Sequence, residues 1–463
     1  MRYVSTRGEA PELGFEDVLL TGLARDGGLY VPAHWPELSS RDIDGLRGQS
    51  YEEVAYRIMQ PFIGTAVPAP VLQQMIASAY AGFGHPAVAP LKQLDDNQWL
   101  LELFHGPTLA FKDVAMQLLA RLMDWALAKR QTRATIVGAT SGDTGGAAIE
   151  AFRDSRHASV FMMHPHGRVS EVQRRQMTTV HSSAIHNIAI EGNFDDCQAI
   201  VKALFNDLAF RDRVGLAGVN SINWARIMAQ TVYYVTAALS LGAPGRSSSF
   251  AVPTGNFGDI FAGLVAKRMG LPIDRLIIAT NVNDILDRTL RTGRYEMRGV
   301  TVSSSPSMDI QVSSNFERLL FEVPGRDPYA VRHLMAGLAQ SGAFTIGTRE
   351  LDQIRHEFSS GTAGELETAR TIRETLAATG ELLDPHSAVG YFVARGCETP
   401  DSAMVTLATA HPAKFPDAVE KACGVRPALP ARLAGLMTAE ERFTVLPNDM
   451  ASVRDFILTR QQA

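Results

Sequence analysis

The chain has 463 residues, 46 % of them apolar and 20 % charged, with no low-complexity tract; this predicts a compact globular protein of roughly two or three domains. A net charge of −5, with no basic run or aromatic-basic stripe, argues against nucleic acid as a partner. Cys197, Cys397 and Cys423 are odd in number, far apart and outside CxxC or Cys/His spacing, so they read as reduced thiols of a cytoplasmic protein without structural zinc.

The first residues, MRYVSTRGEAPELGFED, carry neither a basic start with an apolar run nor an Arg-rich amphipathic pattern, so no targeting segment is expected. Residues 1–90 predict a mainly helical extension. GFEDVLLTG gives a short helix, Gly27 and Gly28 a turn, LYVP a strand, and SYEEVAYRIMQPFIG a helix running to Pro61. From Trp99 the pattern becomes short apolar runs alternating with helices. ATIVGAT, SVFMMHP and AIHNIAIEG are strands, each followed by a helix, which predicts βαβ units and a parallel sheet covered on both faces. The uncharged stretch from Ile227 to Gly245 is broken by polar residues and fits a buried helix better than a membrane span.

A second α/β region begins near residue 246. SFAVPTGNFGDIFAGLVAKRMG reads as strand, glycine loop and helix, RLIIATNVND as the next strand, and SAMVTLATAHPAKFPDAVEKACG again as strand, loop and helix. Residues 299–315 predict a long, polar, mobile loop. The expected domains are therefore 1–90, 91–245 and 246–463.

Chemistry concentrates first at Lys112, within HGPTLAFKDVAMQ. Val114, Leu118, Leu122 and Trp125 recur at helical spacing and predict a helix over 113–129. The positive end of that helix disfavours a cation in its first turn, so helix stability does not account for the lysine. Beside Phe111 and the apolar Leu109–Ala110 pair, its amine is expected to have a lowered pKa and to act as a nucleophile or Schiff-base former; the bland alternative is a snorkelling surface lysine.

Three loops sit where strands end and helices begin. Gly255–Asp259 (GNFGD) is an anion site in which glycines let backbone amides approach a ligand at a helix N-terminus. Asp259 and Ile260 stand where a P-loop has Lys and Ser or Thr, and the GxGxxG dinucleotide spacing is missed, so a small phosphate monoester fits best. The loop GATSGDTGGAA adds Ser141, Asp143 and Thr144, suited to a second anion or to a phenol-like partner, unless it is only a capped tight turn. In ATAHPAKF, Thr409 offers a neutral hydroxyl and His411 and Lys414 are further polar candidates. Such loops converge on the crevice at the strand C-termini where open α/β sheets bind ligands.

HGPTLAFKD, TSGDTGG, NSINWARI, PTGNFGD and TAHPAKF, in this order, resemble the threonine synthase family of pyridoxal-phosphate enzymes, over nearly the whole chain. The resemblance implies two doubly wound α/β domains of the fold-type II (tryptophan synthase β-like) class with a helical N-terminal extension. It implies that Lys112 forms the Schiff base with pyridoxal 5'-phosphate and moves protons, and that Gly255, Asn256, Phe257, Gly258 and Asp259 cradle the cofactor phosphate. Asp143 would lie near the cofactor's 3-hydroxyl, at a position where many relatives carry Asn, and Thr409 at its pyridine nitrogen. Ser141, Thr144, Asn223, Arg226 and Lys414 would bind the carboxylate and phosphate of O-phospho-L-homoserine. The implied reaction is that of a carbon-oxygen lyase acting on phosphates, giving L-threonine and phosphate, in a cytoplasmic monomer or homodimer with no metal, nucleic acid or membrane partner. The residues themselves leave open another lyase of this fold, such as a serine/threonine dehydratase, or a non-catalytic cofactor-binding relative.

Overall fold

The computed structural model describes residues 1–140, 142–398 and 401–461. Its framework is two sheets. One has five parallel strands in the spatial order Thr444–Pro447, Ile185–Glu191, Ala158–Pro165, Ala134–Ala139 and Leu216–Ala217. The other has six, in the order Phe358–Thr362, Ile273–Thr280, Ser248–Pro253, Ala403–Ala408, Gln98–Glu102 and Leu91–Gln93, parallel throughout except for the hairpin at Leu91. Ser248–Pro253 and Ala403–Ala408 are buried at every position, the pattern of strands covered by helices on both faces.

The sheets cut across the boundary expected at residue 245. Strands from 91–102 join the six-stranded sheet, and Thr444–Pro447 returns to the five-stranded one. Hydrogen-bonding partners were not encoded by proximity along the chain, so an edge strand could come from either end.

The helix Trp224–Ser240 ties the layers together, packing on Gly258–Arg268, Lys112–Arg130 and Tyr51–Ile63. Its residues from Trp224 to Val235 are all buried, which explains their lack of charge apart from Arg226. Among the described residues no helix is long and apolar enough to cross a membrane. Tyr51–Ile63 begins with a capping box between Ser50 and Glu53 and runs through Pro61 instead of stopping there. Pro61 lies in the last turn, where the missing N–H and the ring disturb little that follows.

The N-terminal unit is keyed to the second half of the chain. Tyr3–Ser5 pairs antiparallel with Tyr30–Pro32, and the fully buried Arg318 donates from Nε and Nη2 to the Tyr30 carbonyl at 3.1 and 3.0 Å, and from Nη2 to Ile222 O at 2.7 Å. Thr6 Oγ1 donates to Glu317 Oε1 at 2.6 Å. The segment 299–315, expected to be mobile, is pinned. Asp309 Oδ1 accepts from Asn281 Nδ2, Asn283 Nδ2 and Ser303 Oγ at 2.8, 2.9 and 2.6 Å, and Ser313 Oγ donates to Gly255 O at 2.6 Å. Its polar composition serves an internal hydrogen-bond network rather than solvent.

Candidate active site

Lys112 opens the helix Lys112–Arg130, one residue earlier than its apolar spacing indicated. The approach to it is a turn bridged at Ala110 to Ala410 of a distant segment: Phe111 N–H donates to Thr409 O at 2.9 Å, and His411 N–H to Leu109 O at 3.0 Å. This pairing sets Lys112 beside the end of the strand Ala403–Ala408. Leu109 has φ +63°, a left-handed conformation uncommon for a non-glycine residue and a form of strain that concentrates at functional sites. Asp113, fully buried, accepts from Thr108 N–H and Oγ1–H at 2.8 and 2.7 Å, while burial lifts its pKa to about 6.

The amine of Lys112 faces a compact polar cluster. Its Nζ is 3.5 Å from Asp143 Oδ2 and donates to Ser307 Oγ at 3.5 Å, with the lysine side chain 9 % exposed. Burial lowers its pKa, with Asp143 opposing and Arg226 and Lys414 adding to the fall. Asp143 is the first residue of the helix Asp143–Phe152. It accepts from Gln173 Nε2 at 2.8 Å and from Ser307 Oγ at 3.3 Å, and lies 3.1 Å from Lys414 Nζ. Burial works to raise its pKa, but Lys414 and Lys112 outweigh it and hold the carboxyl well below the usual carboxylate range. The preceding Gly142 has φ +146°, and a Cβ there would come within 2.5 Å of the Gln173 amide, so only glycine lets that amide reach Asp143. Thr144 is half-buried in the same first turn; Ser141 lies outside the described residues.

The GNFGD loop follows the strand Ser248–Pro253 and opens the helix Gly258–Arg268. Phe257 holds the N-cap at φ +63° and no side chain caps the helix. The carbonyls of Gly255 and Asn256 are engaged by Ser313 Oγ at 2.6 Å and Asn315 Nδ2 at 2.9 Å. Because a trans peptide sets N–H opposite C=O, the amides of Asn256 and Phe257 point the other way. The Asp259 carboxyl turns from the loop to the Tyr233 and Tyr234 hydroxyls, both donating to Oδ1. Its Oδ2 is buried without a partner, and burial raises its pKa to about 6.

Arg226 is 3 % exposed; Nη1 donates to Val219 O at 3.2 Å, Nε is buried and unpaired, and burial pulls its pKa to about 10. Asn223 caps the same helix, its Oδ1 accepting from Ala225 N–H at 3.0 Å and its Nδ2 donating to Leu19 O at 2.9 Å. Both polar ends of Asn223 are therefore engaged within the protein. Lys414, wholly buried, donates to Thr108 O and Gln176 Oε1, both at 2.6 Å.

Sequence reasoning missed the residues behind this cluster. Ser307 comes from the loop read as mobile. Asp384, His386 and Ser387 belong to LDPHSAVG, whose one signal was an Asp N-cap before a proline at the first helical position. Gln173 and Gln176 lie on a helix that carried no motif.

This donor set fits pyridoxal phosphate. A buried lysine with a lowered pKa suits an aldehyde, and helix starts at Lys112, Asp143 and Gly258 without side-chain caps suit its phosphate and other polar groups. The chain matches the family "Pyridoxal-phosphate dependent enzyme" over residues 85–409, "Threonine synthase N terminus" over 2–80 and "Threonine synthase, C-terminal" over 387–457. It is 56 % identical to threonine synthase of Pseudomonas aeruginosa across 99 % of this chain and 98 % of that one. The crystal structure of PLP-bound threonine synthase from Brucella melitensis superposes with a TM-score of 0.99 at 63 % identity, covering 100 % of both chains. That of yeast threonine synthase superposes at 0.95 and 37 % identity, covering 100 % of this chain and 99 % of the other. The chain belongs to the threonine synthase family of pyridoxal-phosphate dependent enzymes.

Proposed function

We propose that this chain converts O-phospho-L-homoserine and water to L-threonine and phosphate at Lys112. The observation that carries the substrate assignment is Arg226, a buried guanidinium with an unpaired Nε and, among the described residues, no carboxylate at ion-pair distance. A buried cation without a counter-ion is costly, and a guanidinium binds phosphate through paired N–H donors. Arg226 therefore takes the substrate phosphate and holds it as it leaves Cγ, with Thr144 and the helix start at Asp143 receiving the carboxylate.

Lys112 and the amides of Gly255–Gly258 would hold pyridoxal phosphate and its phosphate group, and the bound cofactor would supply an electron sink for charge developing at the substrate's α-carbon. Lys112 removes the proton from Cα and then moves the proton at Cβ. Its lowered pKa keeps a fraction of the amine neutral and able to act as a base. Asp143, anchored by Lys414, stays ionised and orients the amine, and Thr409 would offer its neutral hydroxyl to the cofactor. Asp259 and Asn223 act behind this layer, by fixing the cradle helix and the helix bearing Arg226. The free thiols support a reducing, cytoplasmic setting.

The test is turnover of O-phospho-L-homoserine by purified protein with pyridoxal phosphate, following phosphate and threonine together, beside Lys112→Ala. Equal yields lost in the variant are expected; phosphate without threonine, or no phosphate, would overturn the reading.

A further inference from the structure

We propose that Asp384, His386 and Ser387 form one positioning device that sets both walls of the Lys112 site, with His386 holding Ser307 against the catalytic amine. The inference rests on the function proposed above and assigns to it residues that neither touch Lys112 nor carry a recognised motif.

Asp384 is buried at the start of the helix Pro385–Arg395. Its Oδ1 lies 2.8 Å from His386 Nδ1, and its Oδ2 accepts from the Ser387 hydroxyl. From there two arms diverge. His386 Nε2 accepts the main-chain N–H of Ser307 at 3.2 Å, and Ser387 Oγ accepts the main-chain N–H of Thr409 at 3.2 Å. One carboxylate thus reaches two segments, at residues 307 and 409, that meet Lys112 from different parts of the fold.

The proton assignments follow from the partners. A main-chain N–H can only donate, so His386 Nε2 is a lone pair and the ring proton sits on Nδ1, facing Asp384. Asp143 is ionised, so the Ser307 hydroxyl at 3.3 Å donates to it and turns its own lone pair to the Lys112 amine at 3.5 Å. The amine donates toward Ser307 while facing Asp143 Oδ2 at the same distance, and the two together set its direction. A group that removes one proton and delivers another depends on that direction more than on affinity for substrate. The rest of the loop does not fix Ser307 in this way: its other anchors, Asn281 Nδ2 to Ser305 Oγ before it and Asp309 to Asn281 and Ser313 to Gly255 after it, hold neighbouring residues and not Ser307 itself.

The test uses the holoenzyme of His386→Leu, His386→Gln and Ser307→Ala, with amide hydrogen exchange over residues 303–309, absorbance of the bound cofactor against pH, and kcat separated from KM. Leu removes the acceptor, whereas Gln Oε1 can replace Nε2. His386→Leu is expected to exchange faster at Ser307 and to lose kcat by about tenfold with KM changed less than about threefold, and His386→Gln to recover both exchange and most of kcat. Ser307→Ala, which keeps its main-chain N–H, should exchange as wild type while shifting the pH midpoint of the cofactor absorbance and lowering kcat. Wild-type exchange and kcat in His386→Leu overturn the proposal, as does wild-type kcat with an unmoved absorbance midpoint in Ser307→Ala. Equal losses in the Leu and Gln variants that track melting temperature reduce the device to a structural one and also overturn it. If wild-type protein makes no threonine, the proposed function fails on its own, and hydrogen exchange still decides whether His386 holds Ser307.

Discussion

The Lys414 ammonium lies 3.1 Å from Asp143 Oδ1 with its side chain 0 % exposed, although the two residues come from different sheets' loops. Removing one member of a buried pair leaves the other's charge uncompensated, which typically costs about 3–5 kcal/mol. Lys414→Met should lower the unfolding free energy by that order in denaturant titration. The double variant with Asp143→Asn should lose less than the two single losses combined, because the residues share one interaction.

Arg226→Ala separates binding from folding. It removes a buried cation that has, among the described residues, no carboxylate partner at ion-pair distance, so the denaturant midpoint should hold or rise. Steady-state kinetics with O-phospho-L-homoserine should show kcat/KM lower by on the order of 100-fold, ~2–3 kcal/mol, mostly through KM. Unchanged kinetics would remove Arg226 from the substrate site.

Asp259 predicts a pH dependence of opposite sign to ordinary acid denaturation. Its folded pKa, about 6, lies above the ordinary carboxylate value of 3.8, so between those values the native state binds more protons and stability falls as pH rises. Asp259→Asn keeps an acceptor for the two tyrosines and should flatten this slope, by on the order of 2–3 kcal/mol across the window. Asp143 works the other way: its folded pKa is depressed, so its contribution is present above the unfolded value and is lost as pH falls below it. Unfolding curves taken from pH 3 to pH 7 on the wild type and Asp259→Asn distinguish the two.

Gly255→Ala places a Cβ 2.6 Å from the Ser307 carbonyl oxygen, a contact with backbone that no rotamer relieves. The loop carrying Ser307 must shift, costing about 1–3 kcal/mol. Retention of pyridoxal phosphate on dialysis, read by absorbance, should weaken by at least about tenfold, ~1.4 kcal/mol.

Much of the site was legible because its chemistry forces local patterns. An amine at a helix start, glycines between strand and helix, and a guanidinium in an otherwise uncharged buried helix each stand out against what folding alone would select. Asn223 and Asp259 belong to the same motifs, yet their side chains are engaged in a helix cap and with two tyrosines. A motif marks where the backbone goes, and a side chain's partner depends on what packs above it.

The chain's order of residues determined, by itself, the alternation of strands and helices, the burial of the helix at 224–240, and the three loops on which the chemistry rests. Those follow from periodicity and from backbone geometry that only certain residues accept. Tertiary structure alone decided the sheet membership of residues 91–102 and 444–447, the ordering of 299–315, and the convergence of Lys112, Asp143, Ser307, His386 and Lys414. Hydrogen bonds between segments hundreds of residues apart leave no periodic trace in either segment, so their partners are set only when the chain closes.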